Sequence, residues 1–227
     1  MAGVSTTVVM ALSIDGKISS VDPAAPRVTS PADQFHVEYQ ASLADLLLQG
    51  AGTIRAEGRG MTIHNPELLA ARAVRRQSQQ PIVCVVSQSL ALSPDLPFFQ
   101  QDLDRWILTT RLGLERNPYP ELHRVARLID VGETEIDWDL AYAYLEQQGI
   151  HKVVALGGGH LTASLLKARR VDDCWLTIWP LIYGGKNTPT PVEGEGFDPH
   201  QIPPVELIES RQIGSELFLH YRVITPA

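Results

Sequence analysis

Two glycine-rich turns stand where an apolar run meets a helical one, at Gly50-Ala51-Gly52-Thr53 and at Gly157-Gly158-Gly159. Without side chains the backbone can approach a ligand closely, and the unpaired amides of the helix that follows point at an anion. A dinucleotide pyrophosphate suits that chemistry. Glycine turns also join strands to helices for structural reasons alone, and neither the G-x-G-x-x-G fingerprint nor a Walker A loop is present. Two charged residues stand at predicted element ends. Lys17 closes the turn Asp15-Gly16-Lys17, where a solvated ammonium is the default. Asp33 lies three residues after Ser30, where a helix-capping carboxylate is the default.

Other chemistries find less support. His36-Val37-Glu38 matches the H-x-E fragment of zinc deaminases, but no P-C-x-x-C follows, so the match reads as chance. There is no G-x-S-x-G elbow, and the seven histidines show no H-x-x-x-H pair. No metal is therefore expected. Cys84 and Cys174 sit in apolar runs, as small buried hydrophobes do. The 19 Lys and Arg against 26 Asp and Glu give a net charge of −7, which offers no broad attraction to nucleic acid or anionic lipid. The start of the chain lacks a basic leader, and no window of about 18 residues is uninterruptedly apolar. A reducing cytoplasm is the expected location.

These residues need elements to position them. The 227 residues, 44% apolar and 20% charged, suffice for a core without disulfides, and a single domain over 1–227 is expected. TTVVMALSI reads as a buried strand, and the proline-containing stretch 19–27 as a surface loop. Ser30-Pro31-Ala32-Asp33 starts a helix to about Leu43. Ala44 to Gly50 reads as a strand, and Asn65-Pro66 opens a helix to about Arg76. PIVCVVS, DRWILTT and ARLIDVG are further strands. Asp137 to Gln148 is an amphipathic helix with Leu140, Tyr144 and Leu145 on one face. KVVALGGG runs as a strand into the helix HLTASLLKARR, CWLTIW is a strand, and the tail is a hairpin around Gly214. Alternating strands and helices predict an α/β fold with a mostly parallel sheet, helices on both faces and an antiparallel edge.

In order, SIDGKIS (13–19), VTSP (28–31), GAGTIRAE (50–57), the strand ending at Ser87, LGGGHLTASLL (156–166), VDD (171–173), WPLIYGGKNTP (179–189) and LFLHYRV (217–223) resemble the reductase domain of bacterial riboflavin biosynthesis. The resemblance spans about Val8 to Val223. It implies a dihydrofolate-reductase-like three-layer fold, NADPH as cofactor, a homodimer, and reduction of 5-amino-6-(5-phosphoribosylamino)uracil or a similar pyrimidine. Gly157, Gly158, Gly159, His160, Leu161 and Thr162 match the loop and helix start that hold the NADPH pyrophosphate. Thr53 and Glu57 match cofactor-touching positions, Glu57 standing where Asp is usual. Ser87 matches a site for the adenosine 2′-phosphate, and Ala11 and Ile18 flank the nicotinamide. Lys17 and Asp33 are the expected catalytic contacts, and Ser30, Arg59 and His64 the expected substrate contacts.

The chain departs from the family pattern on the substrate side. A helical Arg falls on Ala41, D-P-x-L-T is Gly58-Arg59-Gly60-Met61-Thr62, the basic residue beyond it is His64, and the acid before the glycines is Leu156. Two alternatives stay open here. Pro31-Ala32-Asp33 also resembles the helix start that carries the ring-binding acid of dihydrofolate reductases, and the lost substrate groups would suit a non-catalytic NADPH-binding module.

Overall fold

The computed structural model describes residues 3–22 and 29–224. Part of the loop expected at 19–27 therefore lies outside the described residues. In chain order the elements are β1 (Ser5–Ser13), α1 (Pro31–Leu43), β2 (Leu46–Gly50), α2 (Ala51–Glu57), α3 (Pro66–Val74), β3 (Ile82–Val86), β4 (Arg105–Thr109), α4 (Arg111–Glu115), β5 (Arg127–Asp130), α5 (Trp138–Gln147), β6 (Lys152–Ala155), α6 (Gly159–Lys167), β7 (Asp173–Trp179), β8 (Val205–Ile213) and β9 (Glu216–Val223). They form two compact units. Of the described residues, the first unit holds those up to Val4 and Glu38–Val154, and the second those of Ser5–Val37 and from Ala155 onward.

In the first unit the strands run β5-β4-β3-β2-β6, and β2 to β5 pair in parallel. Leu46, Leu47, Leu48, Val83, Cys84, Val85, Ile107 and Leu108 are wholly inaccessible. Such unbroken apolar runs, rather than alternating ones, mark parallel strands covered on both faces. Arg72, also fully buried, donates from Nη1 to the carbonyls of Ser42 and Ala44 at 3.1 and 2.7 Å and from Nε to Ser78 at 2.8 Å. It thereby satisfies carbonyls at the C-terminal end of α1 that have no helical partner.

α5 differs from the expected pattern. Its buried residues are Trp138, Ala141, Tyr142 and Leu145, while Leu140 is 54% exposed. The spacing i, i+3, i+4, i+7 from Trp138 outweighs the face read from Leu140, because the large indole anchors the turn. α4 was not expected. It is a single turn capped by Thr110, whose Oγ1 accepts from Gly113, and it accommodates Gly113 because a Cβ there would lie 2.0 Å from the Gln88 carbonyl.

In the second unit the strands run β1-β7-β9-β8. β1 and β7 are parallel, and β9 pairs antiparallel with both β7 and β8, closing the expected C-terminal hairpin at Gly214. Every residue of β8 is exposed, as suits an outermost strand.

The H-x-E fragment has a structural use. His36 is 5% exposed, its ring edge-on to Trp175 at 4.8 Å and Phe218 at 5.2 Å, with Arg211 Nη2 3.3 Å from its Nδ1. Burial first, and the Arg211 charge second, lower its pKa from 6.5 to about 4. Arg211 also lies over the rings of Trp175 and Phe218, 5.3 and 5.6 Å from their centroids. A histidine neutral in the fold but protonated in the unfolded chain contributes stability that is present above pH 6.5 and lost as the pH falls toward 4. His36→Phe keeps an aromatic ring that cannot take a proton. Its melting temperature is expected to fall less than that of the native chain across this interval; equal slopes would show that another group carries the acid sensitivity.

Candidate active site

In the second unit, the N-terminus of α1 faces the central strands. Ser30 Oγ accepts from the Asp33 amide at 3.0 Å and donates to Glu216 Oε2 at 2.7 Å. The hydroxyl cap is therefore made, but the Asp33 carboxyl does not return to the Ser30 amide as a capping box would require. It accepts from the hydroxyl of Thr177, a β7 residue paired in register with Ala11 of β1. Asp33 is 4% exposed, and its Oδ1 is buried with no hydrogen-bond partner. Burial raises its pKa, the Thr177 bond opposes that shift, and the Glu216 charge adds to it. A buried carboxyl with a free oxygen is ready to take a hydrogen bond from a ligand.

The turn after β1 is bound to the loop after β7. Asp15, which sequence reasoning placed only as a turn residue, accepts from the amides of Tyr183 and Gly184 at 3.1 and 2.7 Å. Its pKa is lowered, first by the 2.6 Å bond from Ser13 Oγ. Ile14 donates to Leu181, and Ile18 to Pro189, both at 3.0 Å. Lys17 Nζ lies 3.4 Å from the Thr188 carbonyl, so the ammonium is directed along this loop and only half exposed. The Asp-Gly pair was the available signal for Asp15, but its partners lie about 170 residues along the chain, and local spacing carries no word of them.

The glycine run opens α6. Gly157 has φ +79°, and a Cβ there would come 3.2 Å from Sδ of Met10, the neighbour of Ala11. Gly158 is the N-cap and supplies no side-chain cap. Thr162 spends its amide and its Oγ1 on the Gly158 carbonyl, at 3.1 and 3.3 Å. The amides of Gly159, His160 and Leu161 precede the first intrahelical bond. Gly159 is confined, since its Cβ would lie 2.3 Å from the Thr190 carbonyl. The His160 ring turns to Glu193, at 3.6 Å, while Leu161 is buried.

The other expected site residues belong to the first unit. Thr53 is buried within α2, and Glu57, its last residue, is exposed. Arg55 donates from Nη1 to the Ala91 carbonyl at 3.1 Å. Ser87, just beyond β3, is 3% exposed and its Oγ has no partner. Arg59 and His64 are exposed, and His64 Nε2 lies 2.9 Å from Thr62 Oγ1. Ala41 is wholly buried, so no room is left there for the guanidinium of the family pattern. A separate open cavity of about 530 Å³ at the end of β5 is lined by Asp130, Glu133, Glu135 and Asp137 together with Arg111, which pairs with Asp130 and Glu133 at 3.4 and 3.7 Å. Among the described residues no group of three or more His, Cys, Asp or Glu is arranged to hold a metal, and no helix is long and apolar enough to cross a membrane.

Comparison with known proteins gives these features a context. The RibD C-terminal domain family model matches residues 5–219. The chain is 25% identical over 188 residues to the 2,5-diamino-6-ribosylamino-4(3H)-pyrimidinone 5′-phosphate reductase of Archaeoglobus fulgidus, covering 83% of this chain and 85% of the relative. Among solved structures, a pyrimidine reductase-like protein of Corynebacterium diphtheriae superposes with a TM-score of 0.79 at 20% identity, covering 98% of this chain and 92% of that one. Dihydrofolate reductase of Enterococcus faecalis, solved with NADP(H), superposes with a TM-score of 0.54 at 13% identity, covering 96% of each chain. The fold is thus dihydrofolate-reductase-like, as expected.

The environment of Asp33 makes a thermodynamic prediction. A carboxyl whose pKa is raised on folding contributes stability fully present below its unfolded value of 3.8 and lost as the pH rises through the folded value. Asp33→Asn is expected to melt above the native chain at pH 7, by about 2–4 °C for each ~1 kcal/mol relieved. The gap should close on acidification below 3.8. A native chain more stable than the variant at neutral pH would show that the ionised carboxylate is held by partners rather than penalised by burial.

Proposed function

This chain belongs to the RibD C-terminal domain family, the reductases of riboflavin biosynthesis, and from that premise we propose that it is an NADPH-dependent reductase of a ribosylaminopyrimidine 5′-phosphate. The substrate is the compound in its relative's name or the closely similar 5-amino-6-(5-phosphoribosylamino)uracil. The observation that carries the cofactor assignment is the start of α6. Its first amides precede any helical bond, its cap has no side chain, and Gly157 packs on Met10 beside Ala11.

NADPH, when bound, supplies hydride to C1′ of the opened ribose or its imine, which becomes the ribityl carbon. This chain's residues hold and orient the two partners. The amides of Gly159, His160 and Leu161 receive the pyrophosphate, with Gly157 and Gly158 allowing close approach and Thr162 locking the first turn. Ala11 and Ile18 bound the nicotinamide, and Thr53 and Glu57 touch cofactor. The buried, unpartnered Ser87 Oγ and the Arg55 guanidinium fit the adenosine 2′-phosphate. Asp33 accepts hydrogen bonds from the pyrimidine through its free oxygen, with Ser30 fixing the helix turn that bears it. As the C1′=N bond is reduced its electron pair passes to the nitrogen, which takes a proton from water, and the Lys17 ammonium balances the charge that develops there. Arg59 and His64 hold the substrate phosphate in place of the cations of the family pattern.

Dihydrofolate reduction and a non-catalytic module are not favoured, because the relatives that match along the chain are named as pyrimidinone phosphate reductases. We take residues 1–227 as one reductase domain acting in the cytoplasm. We also take it as a homodimer, a reading supported by the exposed apolar residues Val205, Leu207, Ile208 and Ile213 on the outermost strand. No nucleic acid or membrane partner is invoked.

NADPH at a hundred times its dissociation constant should stabilise the protein by ~2.7 kcal/mol, read as a rise in melting temperature. Substrate-dependent loss of reduced-nicotinamide absorbance should accompany it; tight cofactor binding with no turnover would favour the non-catalytic module. Replacing Arg55 and Ser87 together by Ala should cut the preference for NADPH over NADH about tenfold or more, the effect of losing one to two charge-assisted bonds. An unchanged preference would place the 2′-phosphate elsewhere.

A further inference from the structure

The segment from Gly58 to Asn65 joins α2 to α3 without regular structure, yet its backbone is hydrogen-bonded almost residue by residue to side chains. Gln101 Oε1 accepts from the Gly60 amide at 2.7 Å, and its Nε2 donates to the Gly60 carbonyl at 3.0 Å. Gln49 Oε1 accepts from Met61 at 3.3 Å. Gln80 treats Ile63 as Gln101 treats Gly60, accepting from its amide at 2.9 Å and donating to its carbonyl at 2.8 Å. Glu38 Oε2 accepts from both His64 and Asn65, at 2.9 and 2.8 Å.

A surface loop ordinarily satisfies its amides with water at no cost in ordered side chains. Here the partners come from α1, from β2, from just before β3 and from the turn after Pro97–Gln100, and Gln49 and Glu38 are only 2% and 5% exposed. Burying such groups is tolerable only when they are hydrogen-bonded, so each brace and its loop amide hold one another in place. Three of the four are neutral carboxamides, and the one charged brace spends an oxygen on two amides. The segment thus stays receptive to an anion. What it leaves at the surface is Arg59 and the hydrogen-bonded pair Thr62–His64.

We propose that Glu38, Gln49, Gln80 and Gln101 are positioning residues that set Arg59 and the Thr62–His64 pair before the substrate phosphate arrives. The proposal rests on the reading of Arg59 and His64 as phosphate contacts. Preorganisation of this kind lowers the ordering cost of binding, so its loss appears in substrate KM rather than in cofactor binding.

The test is Gln80→Leu, which keeps the size and removes both bonds to Ile63, beside Gln80→Glu, which keeps the acceptor. In Gln80→Leu, amide hydrogen exchange at Ile63 to Asn65 in the ligand-free enzyme should accelerate about tenfold or more, and KM for the ribosylaminopyrimidinone 5′-phosphate should rise about tenfold, as expected for one or two lost bonds. NADPH KM and kcat should stay within about twofold, and Gln80→Glu should recover part of the KM. Adding Gln80→Leu to His64→Ala should raise KM little beyond His64→Ala alone, because the brace acts through His64. Where Gln80→Leu does not fold, Gln101→Glu reports the same split through Gly60. Faster exchange with unchanged substrate KM, while His64→Ala raises it, would overturn the positioning role and leave the phosphate reading intact. A His64→Ala enzyme with native KM would overturn both.

Discussion

A backbone amide taken from water must find another acceptor, and in the irregular segments that carry the candidate site residues backbone carbonyls serve some amides, as Leu181 serves Ile14, but not others. Carboxylates and carboxamides take their place. Asp15 holds Tyr183 and Gly184, Glu38 and three glutamines hold Gly60 to Asn65, and Asp45 Oδ2 holds His151 and Lys152 where β6 begins, at 3.0 and 2.9 Å. Asp172 Oδ2 likewise accepts the Thr6 amide at 2.7 Å at the start of β1. The start of α6 does not follow this pattern. Its N-cap is a glycine with no side chain to return, and its first amides precede the first helical bond.

Carboxylates held in this way recur in a chain of net charge −7. Each of these acids spends at least one oxygen on amides of a distant segment. Asp33 stands apart because its carboxyl is bonded by Thr177 while Oδ1 has no partner among the described residues. Burial and the Glu216 charge raise the pKa of that carboxyl, against the Thr177 hydrogen bond.

Strand and helix order, the parallel runs and the closing hairpin were legible because each depends on local periodicity and on glycine or proline punctuation. The family was legible from the ordered set of segments, above all SIDGKIS, LGGGHLTASLL and WPLIYGGKNTP. Less was visible where packing decides. The buried face of α5 followed Trp138 rather than Leu140, and α4 escaped notice because one turn has too little periodicity to register. The Ser30 cap was readable, but the direction of the Asp33 carboxyl was not, since Thr177 lies 144 residues away in sequence and only the register of β7 brings it near. His36-Val37-Glu38 looked like a fragment of catalytic chemistry and proved to be an aromatic packing site followed by a loop brace.

Taken alone, the amino-acid order determined the elements, the two glycine turns and the resemblance that names the reaction class, because those are properties of neighbours along the chain. Tertiary structure decided which acids are spent and which are free. Asp15 and Glu38 became acceptors for distant amides, and Asp33 kept an unpaired oxygen. A carboxylate's chemistry depends on which donors lie within about 3 Å of it, and those donors come from parts of the chain that only folding brings together.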